Sequence, residues 1–481
     1  MTVTPRRAAR DVVIQVLARG GNLALGVVVT LILARNLDTT GFGEWATLLT
    51  IVQLAATFTD LGLEPAVVAR AAGDEKRESD WIGALLVLRA ALAVPATLVS
   101  IVACALLADN GQMFLAGALI SASLLTSVPS SLRALNQLRV RNDITMLVLT
   151  VNSVLWGLGV ILVALNDGGL VAYAVAFLIS GTISAALQGV LSYRQRRGPL
   201  TLGRPLWREI VVTGVSIGGA VVLISAMSRA PQLFVYELDG DEQAGLYAVA
   251  SRLLDQSHFV PVALMTTLLP LLAGAIDTDP AHARAMLQRS LDILLVVSLP
   301  AVAIGYVAGP ELIRIVFGEQ YEEASKALPV LMAAFVLISI NYPLDSMVIA
   351  MKRQVQLAKI AAVGLVTMLI LNIALVTQFG FQGAAWAVFG TQAVVTGLTY
   401  RVVAKPIGMR AGQGRTLRIG GAIGGLLAVM LLTEELGAPL AVVLAAAAVT
   451  YSALLFALKA IEVDDLRTLT RRAPPAAETA S

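Results

Sequence analysis

The sequence consists of long apolar runs separated by short polar segments. A run of about 20 residues is long enough for a helix to cross the hydrocarbon core of a membrane. The pattern predicts fourteen such spans, at residues 11–34, 42–66, 81–107, 113–136, 144–165, 169–193, 209–236, 243–273, 290–317, 326–350, 355–378, 382–402, 416–433 and 438–459. The longest connection between spans is about fifteen residues, which leaves no room for a soluble domain. The predicted fold class is therefore an all-α polytopic membrane protein.

Basic residues alternate from loop to loop along the chain. Both termini and every even-numbered loop contain arginine or lysine, whereas five odd-numbered loops are neutral or acidic and read "DNG", "ND", "ELDGDEQ", "FGEQYEEAS" and "TEELG". Basic loops remain on the cytoplasmic side of a membrane. The alternation predicts that both termini are cytoplasmic, and it would fail if one span were missed or invented.

The two halves of the chain show a weak internal repeat. The segment "LDTTGFGEWA" (37–46) resembles "LDGDEQAGLYA" (238–248), which aligns Gly43 with Gly245 at a separation of 202 positions. Because six spans separate the copies, both have the same orientation, as in parallel repeats of transporters. Chance similarity between alanine-rich helices is the alternative explanation.

The repeat predicts two pseudo-symmetric six-helix lobes around a central cavity, followed by two additional helices. The predicted boundaries are 1–193 for the N-terminal lobe, 194–208 for a cytoplasmic linker, 209–405 for the C-terminal lobe, 406–460 for the additional helices and 461–481 for a cytoplasmic, disordered tail.

Composition agrees with a membrane protein. The chain is 57% hydrophobic and 14% charged, with a mean hydropathy of +0.80, whereas soluble domains carry about 25% charged residues. A single cysteine and two histidines are too few for a disulfide or a metal cluster. The first apolar run is too long for a signal peptide and has no cleavage site, so it predicts an uncleaved span. The sequence has no phosphate-binding loop of the G-x-x-x-x-G-K-[ST] type, and we expect no cofactor and no nucleic acid partner.

Polar side chains interrupt the first span on one helix face. Gln15, Arg19 and Asn22 follow i, i+4, i+7 spacing, so they share a face of the helix. Arginine at the centre of a bilayer costs about 3 kcal/mol and usually faces a bundle interior or a watery cavity. The pattern favours a cavity-facing stripe over a buried cluster of interhelical hydrogen bonds.

Three further arginines lie inside predicted spans. Arg252 in span 8 is followed by Asp255 and, soon after, His258, which could form either a self-neutralising pair or a gating and coupling element. Arg229 in span 7 and Arg89 in span 3 either face the cavity or extend to the membrane surface.

Several acidic residues within the spans lie near the cytoplasmic ends. Asp60 and Glu64, like Asn341 and Asp345, are expected to stabilise loops or gates there. A wet cavity with an excess of arginines favours an anion, and guanidinium groups bind phosphate oxygens in a bidentate manner. The predicted substrate is an amphiphile whose phosphate-bearing head crosses through the cavity while its lipid tail stays in the bilayer.

The chain resembles the polysaccharide flippases of the MOP (multidrug/oligosaccharidyl-lipid/polysaccharide) superfamily. The matching segments are "LARNLDTTGFGEWATLLTIVQLAATFTDLGLEPAVVARAA", "GLYAVASRLLDQ" followed by "LLPLLAG", "IRIVFGEQYEEASKALPVL" and "FGFQGAAWAVFGTQ". The resemblance implies a two-lobed bundle that moves an undecaprenyl-diphosphate-linked oligosaccharide or polysaccharide precursor from the cytoplasmic to the outer leaflet by alternating access.

The resemblance also implies that cations in a central cavity bind the substrate, and Arg19, Arg229 and Arg252 are the nearest counterparts here. The two extra spans are similar to those of lipid II flippases, but the arginine-rich first-span motif of that branch is absent. The general polysaccharide branch is therefore preferred. The implied location is the bacterial cytoplasmic membrane, with a polysaccharide polymerase and glycosyltransferases of the same pathway as partners.

The main alternative is a cation-coupled multidrug exporter of the same superfamily. Such an exporter would carry acids in its cavity, where this chain has Arg19. A membrane glycosyltransferase would need catalytic groups on a long external loop, and nearly all of the predicted outer loops are under ten residues. A channel would need rings of pore-lining residues. We therefore expect a transporter and not an enzyme.

Overall fold

The computed structural model describes residues 21–22, 25–139, 141–196, 198–408 and 413–458. Within these ranges the chain is helical and contains no β-strand. The helices are α1 (Leu25–Asn36), α2 (Thr39–Asp60), α3 (Leu63–Ala71), α4 (Glu78–Leu107), α5 (Gly111–Ala122), α6 (Ser127–Ser130), α7 (Arg133–Leu138), α8 (Asn142–Leu165), α9 (Leu170–Tyr193), α10 (Trp207–Asp239), α11 (Asp241–Ser257), α12 (Phe259–Thr278), α13 (Pro280–Val307), α14 (Gly309–Phe317), α15 (Leu328–Ala350), α16 (Gln354–Ile407), α17 (Gln413–Glu435) and α18 (Leu440–Ala457).

The helices coincide with the predicted spans, and the all-α polytopic fold is confirmed. In the described part of the chain, ten helices or helix pairs are long and apolar enough to cross a membrane, and α1 is a shorter apolar helix. Predicted spans 11 and 12 form the two halves of α16, which are separated at Gly380 by a φ of 55°. The first predicted span lies only partly within the described residues.

Several spans contain a break that hydropathy alone does not show. Span 2 is divided into α2 and α3 because Leu61 and Gly62 both adopt left-handed backbone conformations, with φ of 41° and 73°. Span 8 is divided into α11 and α12 at His258. Breaks of this kind are typical of transporter helices, where they occur beside cavities or gates.

Large apolar side chains are exposed along the helices. On α4, Leu98, Val99 and Leu106 are between 60% and 82% exposed. A contiguous exposed apolar surface is unfavourable in water. These side chains therefore face the hydrocarbon of a membrane, which agrees with a multi-pass membrane protein.

The chain divides into two compact units. The first contains the described residues up to Val249, together with Arg314–Glu323 and Ala361–Thr391, and the second contains Ala250–Ile313, Ala324–Ile360 and the described residues from Gln392 onward. The lobe boundaries given in the sequence analysis stay a prediction.

Each unit has its own apolar core. In the first unit, Leu63 of α3, Leu85 of α4 and Leu135 of α7 belong to one buried cluster. In the second unit, α17 and α18 pack on α13, and Tyr451 donates a hydrogen bond to the carbonyl oxygen of Val296 over 2.8 Å. The two additional C-terminal helices are thus packed on α13 within the second unit.

Candidate functional site

Two glycines that are aligned by the internal repeat lie against each other in the first unit. A Cβ atom placed on Gly43 of α2 would lie 2.8 Å from the amide nitrogen of Gly245 in α11, and closer still to the carbonyl oxygen of Asp241. A Cβ atom on Gly245 would in turn overlap the carbonyl oxygen of Thr39. Only glycine permits so close an approach of two backbones. This contact is at the predicted outer end of the helices.

A second backbone contact joins α10 to the break between α2 and α3. A Cβ atom on Gly62 would lie 2.5 Å from the carbonyl oxygen of Gly214 and 2.7 Å from the amide nitrogen of Gly218, and a Cβ atom on Gly218 would overlap Leu61. The neighbouring Gly219 has nothing within 4 Å of its Cβ position. This contact is at the predicted inner end.

The two glycine contacts define a seam, the repeat seam, in which α2 and α3 face α10 and the first part of α11. Between the contacts, the buried Gln232 donates hydrogen bonds to Thr47 Oγ1 over 3.3 Å and to the carbonyl oxygen of Ala244 over 3.1 Å. Elements of the predicted first repeat therefore touch elements of the predicted second repeat near both ends of the seam.

The end of α14 and the segment after it, residues 315–321, bind the junction between α1 and α2 at the predicted outer end. The buried Tyr321 donates a hydrogen bond to the carbonyl oxygen of Ala34 over 2.8 Å, and Arg35 donates to the carbonyl oxygens of Ile315 and Val316 over 2.5 and 3.2 Å. These bonds hold the junction between α1 and α2 in place.

Ion pairs stabilise the predicted inner end of the first unit. Glu64 of α3, which is 3% exposed, accepts hydrogen bonds from Arg133 over 2.7 Å and from Gln137 over 2.9 Å. Arg139 donates to the buried Glu78 over 2.6 Å. Charged groups with little solvent exposure are stabilised by such paired geometry. The pairs connect α3, the start of α4 and α7.

Arg89 takes part in the same inner-end network. It is 6% exposed, forms an ion pair with Asp60, and donates a hydrogen bond to the carbonyl oxygen of Thr59 over 3.4 Å. The guanidinium group of Arg89 is thus paired inside the protein. Asp60 and Glu64 each join helices at this end, and their role in a gate stays a prediction.

The other predicted site residues are placed as follows. Gln15 and Arg19 lie outside the described residues. Asn22 is half-buried and donates a hydrogen bond to Thr150 of α8 over 3.4 Å, so it takes part in interhelical hydrogen bonding. Arg229 is half-buried in α10 of the first unit.

The remaining three residues belong to the second unit. Arg252 and Asp255 are on α11, one turn apart, and Asp255 is exposed. His258 precedes the first residue of α12. Its ring stacks on Phe335 of α15, with ring centroids 6.2 Å apart, and Tyr342 contacts it edge-on at 6.4 Å. The helix break at His258 is thus held by aromatic contacts.

The family of the chain is established by its sequence. Residues 32–326 match the model of the family described as polysaccharide biosynthesis protein. The chain belongs to this polysaccharide biosynthesis protein family. No protein among the curated sequences matches it.

Solved structures show which fold this member of the family has. The lipid II flippase MurJ in an inward closed conformation superposes with a TM-score of 0.76 at 14% identity, covering 95% of this chain and 100% of the flippase. An inward-facing multidrug resistance MATE transporter of the MOP superfamily superposes with a TM-score of 0.66 at 13% identity, covering 80% of this chain and 94% of the transporter.

A third similar structure is a MOP superfamily transporter from Pyrococcus furiosus. It superposes with a TM-score of 0.60 at 16% identity, covering 80% of this chain and 93% of that one, and it is described by a reverse polarity of its binding pocket that suggests a different function. At these identities the likeness shows the fold alone. In its described part, the chain has a helical fold similar to that of the lipid II flippase and of these two transporters.

Proposed function

We propose that the protein is a flippase that moves a lipid-linked oligosaccharide or polysaccharide precursor, of the undecaprenyl-diphosphate type, from the cytoplasmic to the outer leaflet. The observation that carries the proposal is the combination of a polysaccharide biosynthesis family with a fold that spans the full length of a lipid II flippase. Such a pathway needs a transport step, because a polar glycan head cannot cross the hydrocarbon unaided. We assign it no catalytic reaction.

The repeat seam supplies the moving part of the proposed mechanism. Alternating access requires that one repeat rocks against the other around a fixed central site. We propose that the glycine contacts are two seals, one at each end of the seam, which open in turn. Direct backbone contact suits a reversible seal because no side chain has to be repacked when it separates.

Arginines are the proposed ligands of the anionic head. Arg19 with Gln15 and Asn22 on the first span, Arg229 on α10 and Arg252 on α11 are proposed to contact the diphosphate. Asp255 and His258 are proposed to respond to binding or to an ion gradient, because they adjoin Arg252 and the break in span 8.

Arg89 is the weakest of the proposed substrate ligands. It is buried and paired with Asp60, so binding a phosphate would first require that pair to separate. We therefore propose that Arg89 contributes to the inner-end gate and contacts the substrate only when the gate opens.

Membrane insertion and partners follow from the same proposal. The protein is proposed to reside in the bacterial cytoplasmic membrane with both termini inside, because its even-numbered loops are basic. A polysaccharide polymerase and glycosyltransferases would act on the same lipid-linked glycan before and after transport.

Transport in proteoliposomes tests the proposal. The full-length protein is reconstituted with a fluorescent undecaprenyl-diphosphate oligosaccharide, and the fraction of glycan that reaches the opposite leaflet is measured by quenching with an impermeant reagent. We expect flipping that depends on the protein and falls at least tenfold in the Arg19→Ala/Arg252→Ala variant. The matched control is Arg194→Ala, an exposed arginine of the linker, which should flip at the original rate. Undiminished flipping in the double variant would exclude the arginine site.

A multidrug exporter is the second candidate, because MATE transporters share the fold. They cover 80% of this chain, whereas the lipid II flippase covers 95%, so the flippase fold accounts for more of the molecule. Uptake of ethidium by the same proteoliposomes, without flipping of the glycan lipid, would establish the exporter instead.

A further inference from the structure

The second unit contains a cavity whose lining includes none of the proposed arginine ligands. Its volume is about 970 Å³, and it lies at the predicted inner end, among the end of α12, the first three turns of α13, and the ends of α15 and α16. This volume is within the range of pockets that hold small molecules. Apolar side chains form most of the wall, among them Ile276, Met351 and Pro406.

One face of α13 lines the cavity with three polar side chains. Arg284, Gln288 and Asp292 follow i, i+4, i+8 spacing, which places them on one face of the helix. Asp292 is 5% exposed, although it lines the cavity. Gln288 donates a hydrogen bond through Nε2 to Asp292 Oδ1 over 3.3 Å.

The three side chains differ in what they can bind. A guanidinium group prefers phosphate oxygens, which it binds in a bidentate manner. A carboxylate accepts hydrogen bonds from hydroxyl groups, and an amide both donates and accepts them. Arg284 is nearest the beginning of α13, and its Nη1 lies 3.9 Å from the Cβ position of Gly408 at the end of α16. The polar face of α13 thus has a positive group at Arg284 and a negative group at Asp292, about two turns further along the helix.

The spacing of the polar groups sets the length of a ligand that reaches both ends. Eight residues of helix separate Arg284 from Asp292, a rise of about 12 Å. A monosaccharide with one phosphate, together with a hydrogen bond at each end, is about that long.

We propose that this cavity binds a phosphorylated polyol, with its phosphate on Arg284 and its hydroxyl groups on Gln288 and Asp292. The apolar wall takes the ring face or chain of the ligand. The natural source is the phosphosugar head of the lipid-linked glycan, and for this identity the inference rests on the proposed function. The glycerol phosphate head of phosphatidylglycerol presents the same chemistry and is the other source.

Ligand binding by the intact protein tests the proposal. The full-length chain is purified in phosphatidylcholine nanodiscs and titrated by calorimetry with glucose 1-phosphate and, separately, with inorganic phosphate. Phosphatidylglycerol is added as a third probe, and its retention is measured by native mass spectrometry. Binding of glucose 1-phosphate alone would identify the glycan as the source, and retention of phosphatidylglycerol would identify the membrane lipid.

Variants connect the binding to the cavity. Arg284→Gln and Asp292→Asn are each expected to lower the affinity for glucose 1-phosphate at least tenfold. Only Arg284→Gln is expected to lower the affinity for inorganic phosphate. Lys405→Ala is the matched control, since Lys405 is an exposed cation of α16 that does not line the cavity. The proposal would be overturned if neither glucose 1-phosphate nor phosphatidylglycerol bound saturably. It would also be overturned if all three variants bound the ligand equally well.

Two controls keep the result interpretable. Thermal unfolding shows whether the Asp292→Asn variant folds. If it does not fold, Gln288→Ala is used in its place, and the same loss of glucose 1-phosphate affinity is expected. Loss of glucose 1-phosphate binding in both cavity variants with undiminished flipping would overturn the assignment of the glycan as the natural ligand but leave the flippase intact. If the cavity binds ligand but the protein flips no glycan lipid, the proposed flippase function would be wrong and the proposed ligand site would stand.

Discussion

At the residue scale, the glycines of the repeat seam are the positions where one added methyl group has the largest predicted effect. Gly218→Ala should destabilise the closed seam by about 1–3 kcal/mol, the usual cost of overpacking, because its Cβ atom would overlap Leu61. Gly219→Ala is the matched control, since there is open space around the Cβ position of Gly219. Thermal unfolding of the two variants measures the difference, and equal stability would show that the seam is not closely packed in the membrane.

The ion pair of Arg89 gives a second prediction at this scale. Asp60→Ala removes the carboxylate partner of an arginine that is 6% exposed, and an uncompensated buried charge typically costs about 3 kcal/mol or more. The free energy of unfolding, measured by titration with a denaturing detergent, should fall by about that amount. Asp143→Ala breaks the exposed ion pair with Arg141, and this variant should have an unchanged free energy of unfolding. Equal stability of the two variants would contradict a structural role for Arg89.

The sequence predicted some of these residues and not their contacts. The repeat aligned Gly43 with Gly245, but sequence similarity does not show that two aligned positions touch. Arg133 and Arg139 lie near the basic end of span 4, and their partners Glu64 and Glu78 are 69 and 61 residues away along the chain. Pairing over such distances depends on how helices pack, which hydropathy does not determine.

At the element scale, hydropathy predicted the spans and missed the breaks inside them. The boundary between spans 11 and 12 was placed correctly, because the polar residues Gln378 and Gln382 interrupt the apolar runs on either side of Gly380. The break between α2 and α3 was missed, since "LGL" at Leu61–Leu63 is apolar and only the backbone shows its left-handed turn.

Gly380 allows a specific prediction about α16. Its φ of 55° is unfavourable for other residues, and a Cβ atom there would overlap the carboxylate of Asp239, which accepts a hydrogen bond from the amide of Phe381 over 2.8 Å. Gly380→Ala should therefore destabilise the protein by about 1–3 kcal/mol. Gly397→Ala, in the same helix with open space around it, should have little effect. If the thermal unfolding temperature fell no further in Gly380→Ala than in the control, the close packing and positive φ at Gly380 would be contradicted.

At the scale of the whole molecule, the orientation in the membrane is testable because Cys104 is the single cysteine. In a Cys104→Ala background, cysteines at Asn166 and Leu436 should react with an impermeant maleimide from outside the cell. Cysteines at Arg141 and Lys405 should react only after the membrane is opened, because basic loops stay inside. The opposite labelling pattern would reverse the predicted topology.

Reversible cross-linking of the repeat seam is the most direct test of alternating access. Thr47 and Gln232 are joined across the seam by a hydrogen bond of 3.3 Å. Thr47→Cys and Gln232→Cys in the Cys104→Ala background can be linked by a short bis-thiosulfonate reagent. Flipping of the fluorescent glycan lipid is then measured in proteoliposomes before linking, after linking and after reduction. The account predicts that linking stops flipping and that reduction restores it. Undiminished flipping by the linked protein would contradict alternating access through the seam.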